Sequence, residues 1–344
     1  MSININNIYC SHWLKNEYLN SFSNKEKKFA YIKSNPHFHF HIKDSIHYNA
    51  LINNNFDFYK EYINITNQRE HSLDKFLNLK ENFDINKLKK IKIEHNYKSN
   101  KYIILDGVHR LCLLVFFKLI DDSIPLEYLD IIYDNNTIEF VKQGLLETKS
   151  ITHYNGWGNG RGDFGYHSFN IFNMNFKGQR TPNIRLEIIK KHIDLKNKNI
   201  LDVGCNSGGM LLHLFDINKG YGIDYDINCI NFANSMHKLL KFNNEINFIQ
   251  RDLDKIDMDS EIKIDIDIIF LFSLGSWIEK WKYIYEWCLK KSRIIIFETN
   301  NDKEGKKQIE LFKRHNCKIN LISESSDDDT TGNNKRKMYL INTV

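Results

Sequence analysis

Two short stretches carry residue types whose spacing could do chemistry. The first is 199–226, NILDVGCNSGGMLLHLFDINKGYGIDYD, where Asp202, Gly204, Asn206 and Gly208 lie between an apolar run and a short apolar helix, and Asp224 closes a second apolar run. Glycines let the backbone approach a ligand, Asn tolerates positive φ better than other residues with side chains, and a carboxylate about twenty residues on sits where a ribose hydroxyl pair is held. The second stretch is 102–110, YIILDGVHR, in which Asp106, Gly107, His109 and Arg110 open a strongly apolar helix. Amide groups at a helix start together with Arg110 make an anion site, and Arg69 stands upstream as a helper.

Further candidates are scattered. The segment 152–180, THYNGWGNGRGDFGYHSFNIFNMNFKGQR, interleaves Gly156, Gly158, Gly160, Gly162 and Gly165 with aromatics and with Arg161, as a lid over bound reactants would. An ordinary linker is the alternative. An acceptor with an O–H bond also needs a base for its proton. His153, His167 and Glu298 are the candidates, with Tyr154 beside them and Trp277 able to stack a ring. His37, His39 and His41 alternate along one strand face, where a metal or plain hydrogen bonding is possible; we assign no metal.

The elements that must position these residues follow from apolar runs and their breaks. Strands are expected at 199–203, 221–223, 246–250, 264–272 and 292–297, with an antiparallel pair at 318–323 and 337–342, and helices at 183–192 and 210–215. That alternation describes a Rossmann-like α/β sheet of seven strands. Upstream, strands at 91–93, 102–106 and 129–133 with helices at 11–31, 73–79 and 111–119 describe a smaller α+β domain. Domains are therefore expected at 1–145 and 183–344, joined by 146–182 as linker or lid.

Asp202, Gly204 and Gly208 resemble motif I of class I S-adenosylmethionine-dependent methyltransferases, whose middle glycine is replaced here by Asn206. The resemblance runs from about 176 to the C-terminus. It implies that S-adenosylmethionine is the cofactor, that Asp202 and the 204–208 backbone hold its methionine and ribose portions, that Asp224 takes the ribose hydroxyls and that Asp252 approaches the adenine. It also implies that Gln179 and Arg180, entering the helix at 183, cover the methionine end. A dinucleotide enzyme would need G-x-G-x-x-G, and Cys, Asn, Ser, Gly follow Gly204 instead. DGVHR resembles the box of the ParB N-terminal and sulfiredoxin-like family, which implies phosphate contacts at Asp106, Gly107, His109 and Arg110, with no choice among that family's activities.

Composition narrows the partners. A net charge of +5 over 344 residues, with signs interspersed, falls short of the concentrated basic field of a dedicated nucleic-acid binder. Nucleic acid is disfavoured further because 273–278, SLGSWI, lacks both the Asn/Asp-Pro-Pro-aromatic motif and the Pro-Cys motif of base-methylating DNA enzymes. Six cysteines without C-x-x-C spacing read as buried thiols of a reducing compartment, and no stretch is long and apolar enough to cross a bilayer. A cytoplasmic enzyme methylating a small phosphorylated molecule, a nucleotide-linked or phosphorylated sugar, is the leading expectation. An RNA or tRNA methyltransferase and a non-catalytic nucleotide-sensing or DNA-binding protein are the alternatives.

Overall fold

The computed structural model describes residues 2–11, 39–66, 72–96, 101–152, 164–240, 244–300, 302–325, 327–329 and 336–343. The chain divides into two compact units between Ile138 and Glu139, inside the helix Asn135–Thr152 and slightly ahead of the boundary expected at 145. The helix expected at 11–31 lies outside the described residues.

In the N-terminal unit, strands β1 (Ser2–Asn4), β2 (Ile8–Ser11), β3 (His39–His41), β4 (Ile91–Asn96), β5 (Lys101–Asp106), β6 (Ser123–Pro125) and β7 (Leu129–Tyr133) alternate with helices α1 (Ile46–Ile52), α2 (Asp57–Thr66), α3 (Leu73–Glu81) and α4 (Val108–Phe116). The main sheet is mixed, in the order β3-β2-β5-β4-β7, and β1 pairs with β6 apart from it. Helix α4 starts at residue 108 rather than 111 because Gly107, at φ +95°, turns the chain sharply out of β5. It ends before Lys118, which takes φ +54°. His41 lies on β3 with Nε2 3.2 Å from the Ile5 carbonyl, while its Nδ1 accepts from the Lys43 amide. His37 lies outside the described residues, among which no group of three His, Cys, Asp or Glu could hold a metal ion.

The C-terminal unit is a seven-stranded sheet. After the hairpin β8 (Phe169–Ile171) and β9 (Met174–Phe176) and the helix Pro182–Lys190, it runs through β10 (Asn199–Val203), β11 (Lys219–Asp224), β12 (Glu245–Gln250), β13 (Ile268–Phe272), β14 (Ile294–Glu298), β15 (Lys318–Ser323) and β16 (Met338–Asn342). The strand order is β12-β11-β10-β13-β14-β16-β15, with β16 antiparallel to both of its neighbours. The residues of β13 and β14 are nearly all buried, as covering helices on both faces require. Strand β13 is shorter than the expected 264–272 because acidic residues alternate through 264–267. There the Asp267 carboxylate accepts from the Asn199 amide and leads the chain into the sheet. The helix after the glycine turn is likewise only Gly209–Leu212.

Phe270 sits at the centre of β13 with no exposed surface, whereas Tyr283 is 40% exposed. Replacing Phe270 with Ala is expected to cost about 3–5 kcal/mol of unfolding free energy in urea denaturation, against under about 0.5 kcal/mol for Tyr283→Ala.

Candidate active site

The glycine turn after β10 is built by backbone conformations that side chains resist. Gly204 (φ +79°), Asn206 (φ +49°) and Gly208 (φ +74°) alternate through it, so the Asn that replaces the middle glycine of the motif adopts the left-handed conformation a glycine would. The Gly204 and Cys205 amides both donate to the Ile223 carbonyl, and the Asn206 amide donates to the Asp224 carboxylate at 2.8 Å. Asp224 also accepts from the Asp226 amide, so one side chain fixes both the turn and the end of β11. Burial raises its pKa above the usual carboxylate range against those backbone bonds.

Gly209 is held from both sides. Its N–H faces His167 Nδ1 at 3.3 Å and its carbonyl lies 2.6 Å from His213 Nδ1. His213 Nε2 accepts from the Asn170 amide, so the proton of this ring sits on Nδ1 and is donated to Gly209. Burial pushes the His213 pKa down to about 4. Burial also drives His167 well below its ordinary range, with the Arg185, His213 and Arg180 charges adding to the effect. A Cβ on Gly209 would come within 2.5 Å of the His167 ring. His167 Nδ1 therefore supports the floor of the turn. His213 was not singled out from the sequence, since its role depends on a contact with β8.

Asp202 on β10 is buried, and its Oδ2 has no hydrogen-bond partner among the described residues. Burial raises its pKa to about 7, with Asp224 adding and Arg185 opposing. An orphaned buried carboxylate oxygen beside a cradle of left-handed backbone fits the cationic, ribose-bearing end of S-adenosylmethionine. Asp224 and Asp202 are the residues that would hold it.

Beside this cradle, at the carboxyl ends of β13 and β14, three arginines and three carboxylates interlock. Arg185 reaches Glu298 at 3.0 Å and Asp328 at 2.7 Å; Arg180 reaches Asp328 at 3.4 Å and Asp329 at 2.8 Å; Arg336 Nη1 lies 3.5 Å from Glu298. Ser273, strained at φ +51°, donates its hydroxyl to Glu298 and accepts from Arg336. Gln179 donates to Asp329. Gln179, Arg180 and Glu298 are thus part of one buried ionic cluster. Its remaining members, Arg185, Ser273, Asp328, Asp329 and Arg336, come from separated stretches that carry no local motif.

Asp252 follows Arg251, whose amide donates to the Asp224 carbonyl of the cradle. The Asp252 carboxylate pairs with Lys255 at 2.8 Å, and Trp277 is 55% exposed beyond β13. His153, Tyr154, Arg161 and Arg69 lie outside the described residues. In the N-terminal unit, Arg110 folds back over Gly107 and pairs with Asp106 at 2.7 Å. His109 points into the aromatic core instead. Its Nε2 is 2.7 Å from the Tyr59 hydroxyl, and its ring lies against His47 and Phe76.

Residues 194–332 match the model of a methyltransferase domain. The C-terminal unit thus contains a methyltransferase domain. No curated protein matches the sequence. Among solved structures, the bifunctional kinase-methyltransferase WbdD is 20% identical with a TM-score of 0.39, over 48% of this chain and 40% of its own. A precorrin 8w decarboxylase from Methanobacterium thermoautotrophicum is 18% identical with a TM-score of 0.38, over 49% and 93%. TrmK of M. capricolum, in complex with S-adenosylhomocysteine, is 19% identical with a TM-score of 0.35, over 46% and 67%. The chain thus spans about two fifths of the length of WbdD.

Two predictions follow from the donor cradle. Asp224→Ala removes the acceptor of the Asn206 amide, and calorimetry should show at least a tenfold weaker affinity for S-adenosylmethionine, roughly 1.4 kcal/mol or more. Asp202, with its pKa raised to about 7, binds a proton in the folded state that the unfolded chain releases near pH 4. Its contribution to stability is then complete below about pH 4 and lost as the pH rises to about 7. Asp202→Asn should therefore gain melting temperature relative to the parent as the pH is raised across that window, and a constant difference would refute the assignment.

Proposed function

We propose that the C-terminal unit transfers the methyl group to a hydroxyl of a small phosphate-bearing acceptor, a nucleotide-linked or phosphorylated sugar of surface-polysaccharide or secondary metabolism. We propose further that the N-terminal unit is a ParB/sulfiredoxin-like module recognising phosphate on the same class of molecule. The sulfonium donor supplies a methyl group already attached to a good leaving group, so the protein's task is to align, exclude water and remove a proton. The Gly204 to Gly208 turn and Asp224 serve alignment, and the nearly water-free end of β13 and β14 serves exclusion.

The observation that supports phosphate recognition is the corner at Gly107. There a guanidinium is folded over a helix start, and its partner, the Asp106 side chain, is 68% exposed. An exposed carboxylate holds its partner weakly, so a doubly charged phosphate competes well for Arg110 and for the α4 amides. The arginines of the C-terminal unit are poorer candidates, since Arg180, Arg185 and Arg336 each already face a buried carboxylate.

Calorimetric titration with S-adenosylmethionine, uridine diphosphate glucose and glucose 1-phosphate tests the reading. A phosphorylated sugar should bind the parent protein at least tenfold more tightly than Arg110→Ala, with donor affinity unchanged. Equal sugar affinity in the two proteins would remove the phosphate assignment. Binding to single-stranded RNA that falls steeply with salt would favour a nucleic-acid acceptor instead.

A further inference from the structure

Of the three groups expected to take the acceptor's proton, one lies outside the described residues and the other two each make contacts within the protein. His167 Nδ1 faces the Gly209 amide, and Glu298 is bound by two arginines and by the Ser273 hydroxyl. The residue preceding His167 is Tyr166, and the two rings lie 4.9 Å apart. His167 faces the donor turn, and the Tyr166 hydroxyl faces the arginine cluster, 3.4 Å from Arg336 Nη1. The same Nη1 lies 2.8 Å from Ser273 Oγ, at the carboxyl end of β13. The residue is partly exposed, unlike its buried neighbours His167 and Ser168.

Three features converge on this hydroxyl. It sits at the carboxyl ends of the central strands, the edge of an open α/β sheet where ligands bind. One residue along the chain, the His167 ring accepts from the Gly209 amide of the donor turn. Arg336 donates a hydrogen bond toward the Tyr166 hydroxyl, an arrangement that favours a phenolate oxygen over a phenol. Resting on the methyl-transfer reading above, we propose that Tyr166 is the catalytic base that takes the proton of the acceptor hydroxyl. The acceptor O–H bond breaks and its proton passes to the Tyr166 phenolate. The oxygen forms its bond to the methyl carbon, and the electron pair of the broken carbon–sulfur bond stays on sulfur. The phenol then returns its proton to solvent.

The charged groups around Tyr166 support the assignment. Burial by itself would raise the phenol's pKa, and Glu298 on β14 adds to that. The Arg185, Arg180 and Arg336 guanidiniums outweigh both, so the hydroxyl ionises below the ordinary tyrosine range. His167, held neutral by its burial beside these arginines, contributes no opposing charge.

Near-ultraviolet titration of phenolate absorbance, comparing the parent protein with Tyr166→Phe, needs no acceptor. The parent should show one tyrosine ionising below about pH 10, absent from Tyr166→Phe and shifted upward in Arg336→Gln. Turnover is followed on a panel of phosphorylated sugars and their phosphate-free counterparts. Tyr166→Phe should lose roughly a hundred- to ten-thousand-fold in kcat with donor affinity unchanged, and the parent's rate should rise with pH through the midpoint of the phenolate titration. Identical absorbance titrations for the two proteins, or a kcat in Tyr166→Phe within about threefold of the parent's, would overturn the assignment. Turnover of the phosphate-free sugars alone would instead sink the phosphate reading and leave the base intact.

Discussion

Charge neutralisation inside the C-terminal unit is the constraint on which its working end depends. Arg180 and Arg185 are almost wholly out of water, and so are Glu298, Asp328 and Asp329. A single such group, left unpaired, would carry a desolvation penalty of several kcal/mol. The only way to keep all of them buried is to hold four stretches of chain together. These are the segment leading to Arg180, the helix that carries Arg185, the ends of β13 and β14, and the turn at 327–329. The hydrogen bond from the Thr181 amide to the Asp328 carbonyl and the bridge between Arg180 and Asp329 extend the same tie into the backbone. Such a network contributes little net stability compared with apolar packing, but it permits few alternative arrangements.

The donor cradle is supported by the same segment from the other side. His167, His213 and the β8 backbone converge on Gly209, so the glycine turn is shaped by a contact with residues that precede it by about forty positions as much as by its own glycines. Both rings are kept neutral by burial, which suits them to hydrogen-bond a backbone and makes them poor stores for a proton. His167, which contacts the turn, and Tyr166, which lies beside Arg336, are thus neighbours in one short stretch of chain.

The N-terminal unit uses a related local device for a different end. Gly107, like Gly208, takes a left-handed conformation immediately before a helix, and each lets the helix start close against its strand. The difference lies in what covers the turn: a charged pair at Gly107, and an aromatic ring of Phe248 against Gly208. One corner is left polar and the other is sealed into the core.

Much of this architecture is local enough to read along the chain. The apolar runs of β10, β13 and β14, the positive-φ positions at 204, 206 and 208, and the acidic end of β11 each depend on neighbours in sequence, so residue type and spacing sufficed for them. Strand and helix ends were harder, as with 264–267, where alternating Asp residues looked like a strand and proved to be its lead-in. Pairings across long separations were beyond sequence reasoning. Neither the capture of Glu298 by Arg185 and Arg336 nor the turning of His109 into a ring cluster is encoded in any short motif. The sequence by itself determined the sheet, the donor turn and the chemistry they serve, because those rest on backbone conformation and apolar periodicity. Only the tertiary structure decided which titratable side chains are free to act, because burial and partners drawn from distant stretches set their protonation.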